Sequence, residues 1–137
     1  KILPDIDHVI YVYFLQPQEL NSQRVQYMVD KNNFWEAFKF LSETRSERSG
    51  LIFHTAFFQI IFLVLTLFVL TSSASLFGKG LVLAFGLHLL VDQIVDINQT
   101  GGLSNWFRNT PFSFDKKQAT VYWVIMLILV LLFAFFL

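Results

Sequence analysis

The chain contains no cysteine, which excludes disulfides, thiolate nucleophiles and sulfur metal ligands together. Any metal it binds must be held by nitrogen and oxygen. It also lacks a surplus of either charge, since ten Lys plus Arg stand against ten Asp plus Glu. No positive excess is left to neutralise phosphates along a nucleic acid, so no nucleic-acid partner is expected. Charge itself is scarce, at 15% of 137 residues, against about a quarter in soluble domains. Apolar residues fill the difference: 55% of positions are hydrophobic and 18% aromatic, which rules out a disordered tail. The sequence has no GxSxG elbow, no P-loop and no dinucleotide glycine pattern, so the usual serine-hydrolase and nucleotide chemistries have no foothold. A short cleavable N-terminal apolar run of the signal-peptide kind is likewise missing.

Long apolar runs dominate instead. A bilayer core about 30 Å thick needs about 20 apolar helical residues to cross it. Leu51 to Leu70 and Ala119 to Leu137 are both uncharged and of that length. Leu76 to Ile97 has the length too, although it carries Lys79 at one end and His88, Asp92 and Asp96 in its second half. The expected fold is an all-α integral membrane bundle with three spans in one domain covering residues 1–137. Basic residues are frequent in Gln16 to Gly50 and in Asn98 to Gln118 and absent from Thr71 to Ser75. The positive-inside rule therefore places the first two segments on the cytoplasmic side, most simply of a bacterial-type inner membrane.

Asn21 to Phe40 alternates polar residues with Val25, Met28, Val29, Phe34, Trp35, Phe38 and Phe40, the pattern of amphipathic helices lying on a membrane surface. Val9 to Leu15 is apolar but too short to span. Asn98 to Phe114 joins a Gly101-Gly102 turn to Trp106, Phe107, Arg108 and Phe112, residues suited to the headgroup level.

Ionisable side chains inside a span cost at least about 2.5 kcal/mol and mark functional sites by default. His88 and Asp92 lie four apart, on one helical face, and Asp96 extends the ridge. His54 falls at the same predicted depth on the preceding span. Asp5 and Asp7, behind Pro4, are expected in an extended stretch where carboxylates two apart point the same way. Each has a plainer role available: a hydrogen-bonded His–Asp pair, an interfacial histidine, a helix-capping aspartate, a solvated Asp96. Their convergence on one side of the membrane favours a shared metal site. Imidazole with carboxylate suits zinc, manganese or iron better than magnesium, and such an ion supplies hydrolytic chemistry without a side-chain nucleophile.

These residues resemble motifs of the LexA-regulated, membrane-bound metal-dependent hydrolases of the YdjM type. Leu3-Pro4-Asp5-Ile6-Asp7-His8 is similar to that family's LPDxDH stretch, and His88-Leu89-Leu90-Val91-Asp92 to its HLLxD motif. Gly101-Gly102 and Pro111-Phe112-Ser113 are similar to its tail. Arg48-Ser49-Gly50-Leu51-Ile52-Phe53-His54-Thr55 matches its HRGxTHS-like motif in part, with one more residue between Gly and His and no leading histidine. The resemblance implies a divalent metal, zinc or manganese foremost, with Asp5, Asp7, His54, His88 and Asp92 as ligands. It also implies a further N-terminal span ahead of Lys1. Glu47, near the missing histidine, is the expected general base.

The resulting expectation is a membrane-bound hydrolase acting on a phosphoester or lipid-linked ester at the cytoplasmic leaflet, with Arg45, Arg48 and Arg108 available to phosphate or acting only as topology determinants. Two other classes fit the same residues. One is a non-catalytic subunit packing against partner helices around a structural polar site. The other is a proton-relay fragment, which the small number of spans and the lack of a paired repeat disfavour.

Overall fold

The computed structural model describes residues 2–44, 47–48, 50–72 and 75–137, with side chains described from residue 6 onward. Every regular element among the described residues is helical, and they fall into two compact units, Ile2–Ile52 and Phe53–Leu137.

In the N-terminal unit, α1 (Ile2–Ile10) continues into a π-helical turn at Tyr11–Leu15. The LPDIDH stretch is therefore helix, not the extended segment expected from Pro4. Pro4 falls in the first turn, where no intrahelical N–H bond is required of it, so the ring is tolerated. Helices α2 (Leu20–Asp30) and α3 (Phe34–Glu43) follow as a hairpin. Between them Asn32 takes a left-handed conformation, φ 58°, which Asn adopts more readily than most residues. The hairpin and the π turn close on Val12, Val25 and Ala37, with Met28, Val29, Phe40 and Leu41 packed around them. Gln26 donates to the Val12 carbonyl at 2.9 Å, so a main-chain acceptor of the π turn is satisfied from the neighbouring helix.

The C-terminal unit holds α4 (Ala56–Ser72), α5 (Leu76–Thr100) and α6 (Lys116–Ala134). Helix α5 is central, packing along both α4 and α6. Caps set the boundaries. The Thr55 hydroxyl accepts from the Phe58 N–H at 3.2 Å, so α4 starts at Ala56 and not at Leu51. Ser75 caps α5 through the Gly78 N–H, and Gly101, at φ 80°, ends it in the left-handed region. Asp115 and Gln118 form a reciprocal capping box that opens α6 at Lys116.

These boundaries alter the span count. At about 1.5 Å per residue, α5 with 25 residues and α6 with 19 reach about 37 and 28 Å. Both are long and apolar enough to cross a membrane. Helix α4, with 17 residues, rises about 25 Å, because Leu51–Thr55 is spent on a non-helical approach. Among the described residues, two helices are thus long and apolar enough to cross a membrane, where three spans were expected. Only 17% of the most apolar stretch of α6 is buried, and Val121, Ile125, Ile128 and Leu132 face outward.

The interior of the unit forms where α4, α5 and the 101–115 turn meet. Ala56, Leu89, Ile97, Leu103, Trp106, Phe107 and Ala119 make one cluster, and Leu90, Met126 and Val130 a second between α5 and α6. Gly86 faces Val130 where those two helices cross, and a Cβ there would lie 3.6 Å from the Val130 side chain, an ordinary van der Waals contact. Trp106 and Phe107 are buried in this core. The turn folds back under α5, and Arg108 is left exposed.

Candidate functional site

His54, His88 and Asp92 come together in the C-terminal unit. His88 and Asp92 are one turn apart on α5, and their contact, His88 Nε2 to Asp92 Oδ2, is 3.1 Å. His54 reaches the same oxygen from the segment ahead of α4, with Nε2 2.9 Å from Asp92 Oδ2. His54 and Asp92 are buried, and the His88 side chain is 15% exposed. A single carboxylate oxygen thus faces two imidazole nitrogens from two separate segments. An ionised carboxylate only accepts hydrogen bonds, so where Asp92 is ionised the His54 ring donates from Nε2.

The surroundings fix this arrangement laterally. Trp106 packs against His54 in a T-shaped pair, with centroids 5.5 Å apart, while its indole N–H donates to Asp96 Oδ2 at 2.7 Å. Asp96 is therefore bound into the fold and not simply solvated. Beyond Asp92 lies a second buried polar group that ties the three helices together. Gln93 Nε2 donates to Gln59 Oε1 at 2.8 Å, Gln59 Nε2 returns a bond to Gln93 Oε1 at 3.3 Å, and the Tyr122 hydroxyl donates to Gln59 Oε1 at 2.7 Å. Trp123 Nε1 adds a bond to the Leu90 carbonyl at 2.7 Å. Sequence reasoning passed over Gln59, Gln93 and Tyr122. The available signal was glutamine inside an apolar helix, which commonly bonds across to a neighbour.

The remaining predicted residues belong to the N-terminal unit. Asp7 is fully buried and accepts from the Ile52 N–H at 2.9 Å. The Asp5 side chain lies outside the described residues. Glu47 is exposed and accepts from Asn21 Nδ2. Arg48, expected to await phosphate or to mark topology, is instead buried. It donates to His8 Nδ1 at 3.2 Å, to Thr44 Oγ1 at 2.9 Å and to the Leu41 carbonyl. Its charge is committed to tying α1 to the end of α3. Arg45 lies outside the described residues.

Among the described residues, no group of three or more His, Asp or Glu side chains is spaced as a metal centre. The chemistry of the donor set is nevertheless that of a catalytic zinc site, two imidazoles and one carboxylate. Ligands about 2.0–2.2 Å from a tetrahedral ion sit about 3.4 Å from one another. The observed 2.9 and 3.1 Å separations therefore have to widen by a few tenths of an ångström to admit one. No protein-family model, curated protein or solved structure matches this chain, so the YdjM-type resemblance rests on the motif residues alone.

Proposed function

We propose that this chain is a membrane-embedded, metal-dependent hydrolase whose ion is held by His54, His88 and Asp92. The observation that carries the reading is the meeting of two imidazole Nε2 atoms on one buried carboxylate oxygen. Ionisable groups placed so deep in an apolar bundle are costly unless they serve a purpose. Zinc or manganese bound there supplies Lewis acidity and brings the pKa of coordinated water toward neutrality. Asp92 provides the negative charge, and the two imidazoles complete a neutral-plus-anionic donor set suited to either ion. Asp5 and Asp7 are ligand candidates through the motif resemblance only. Glu47, exposed and steadied by Asn21, is the proposed general base.

The substrate class in this reading is a phosphoester or lipid-linked ester. Arg108, exposed two residues beyond Trp106, is the cation offered to the phosphate. Helix α4 is proposed as the third span, its 17 residues standing at the lower end of the range of about 17–25 that cross a bilayer. The distribution of basic residues supports a site opening to the cytoplasmic leaflet of an inner membrane.

A second reading, a non-catalytic subunit packed against partner helices, is favoured by the direct hydrogen bond between His54 and Asp92, which holds those two groups together without an ion. Elemental analysis of the purified protein separates the two. Near-stoichiometric zinc or manganese, lost in both His88→Ala and Asp92→Ala, supports the hydrolase. Background metal in all three samples sinks it in favour of the subunit.

A further inference from the structure

His54 differs from the other two members of the triad in one respect: it is not on a helix. His88 and Asp92 inherit their directions from α5, whereas residues 51–55 form a non-helical approach to α4. Something else must aim the His54 ring, and three contacts converge on Trp106. Its carbonyl accepts from the Ala56 N–H at 2.9 Å, which pins the main chain two residues beyond His54. Its ring and the imidazole form a T-shaped pair at a 67° interplanar angle with 5.5 Å between centroids, a favourable aromatic geometry. Its indole N–H is held by Asp96 at 2.7 Å, a charge-assisted bond to a residue one turn beyond Asp92 on the same helix. Trp106 is 1% exposed, so neither the ring nor its N–H has water as a substitute partner.

We propose that Trp106, clamped by Asp96, is a positioning residue that fixes the His54 imidazole against Asp92. The contacts form a closed circuit: α5 holds Asp92 and Asp96, Asp96 holds Trp106, and Trp106 holds His54, whose ring returns to Asp92. The circuit couples the one irregular ligand-bearing segment to the helix carrying the other two groups. Its functional consequence, a preformed ion site, rests on the hydrolase reading above. Outer partners of metal ligands characteristically change affinity by about 10- to 100-fold when removed.

The test titrates zinc alone into purified, detergent-solubilised full chain by calorimetry. Trp106→Phe keeps a ring but loses the N–H, Asp96→Leu removes the acceptor, and Asp96→Asn keeps an acceptor oxygen. Phe107→Leu trims the same core cluster without touching the circuit, and circular dichroism confirms folding of each variant. Zinc binding weakened about 10- to 100-fold in Trp106→Phe and Asp96→Leu, with Asp96→Asn and Phe107→Leu close to wild type, is the expected result. Equal affinity in all five proteins, or equal loss in Phe107→Leu, overturns it. Wild-type protein that binds no zinc defeats the hydrolase reading instead. The positioning role is then read from the hydrogen-bonded Nε2–H proton resonance of His54 at one fixed pH. Its loss in Trp106→Phe and retention in Phe107→Leu upholds the circuit, and its persistence in Trp106→Phe refutes it.

Discussion

At the scale of single residues, Asp92 is the hub. It is hydrogen-bonded to His54 and lies 3.1 Å from His88 Nε2, and truncating one partner of a buried polar contact costs more than the contact is worth, because the remaining groups are left dry and unsatisfied. Asp92→Leu is expected to destabilise the folded protein by about 1–3 kcal/mol in reversible unfolding, and Asp92→Asn by less. An Asp92→Leu variant as stable as wild type contradicts the hub assignment. Gln59 plays the corresponding part deeper in the unit, accepting from both Gln93 and Tyr122. Interhelical hydrogen bonds within membranes average about 0.6 kcal/mol, with a maximum of about 1.7. Gln59→Leu is thus expected to cost about 1 kcal/mol, and the Gln59→Leu, Gln93→Leu double variant less than the sum of the two. Strict additivity in that cycle contradicts a shared bond. The His88–Asp92 pair was legible in the sequence because four-residue spacing on a helix guarantees proximity. The approach of His54 was foreseen in depth but not in contact. An aromatic beside a glycine turn and an arginine has the composition of a membrane interface, and composition does not reveal that Trp106 is buried where the turn folds back beneath the helix.

Among the elements, hydropathy located the helices and caps decided their ends. The apolar run from Leu51 reads as helix throughout, yet the Thr55 hydroxyl starts α4 only at Ala56. The non-helical residues ahead of it are what free His54 to reach across. Helix α6 opens three residues earlier than its apolar run because Asp115 and Gln118 satisfy each other's main-chain donors. Removing an Asp cap costs about 0.5–2 kcal/mol, so Asp115→Ala is expected to lower unfolding free energy by about 1 kcal/mol, while the exposed neighbour variant Lys116→Ala does not. Equal effects of the two deny the capping box its role. At the α5–α6 crossing, Gly86→Ala places its Cβ at ordinary contact distance from Val130 and is expected to be tolerated. Gly86→Leu has no such space, and overpacking costs about 1–3 kcal/mol. The DxD stretch was read as extended because proline usually interrupts helices. That rule does not apply in a first turn, where Pro4 lies.

On the scale of the whole molecule, apolar residues serve two purposes that composition cannot separate. Some close the interior of each unit, and others, such as Ile125 and Ile128 on α6, are left facing outward, where a contiguous apolar surface calls for lipid or a partner. Membrane fractions washed with alkaline carbonate are expected to retain the protein, and its release contradicts spanning by α5 and α6. The all-helical class and the two helices long and apolar enough to cross a membrane were legible because length and hydropathy are properties of a single run. The polar connections between helices were not, since they depend on pairings between positions dozens of residues apart.

The most direct measurement is X-ray absorption at the metal edge of protein purified without added chelator. Two imidazole nitrogens and a carboxylate oxygen about 2.0–2.2 Å from one zinc or manganese ion, with an imidazole scatterer lost in His54→Ala and in His88→Ala alike, is the result expected of this site. An ion whose coordination shell is unchanged in both variants, or no ion at all, contradicts it.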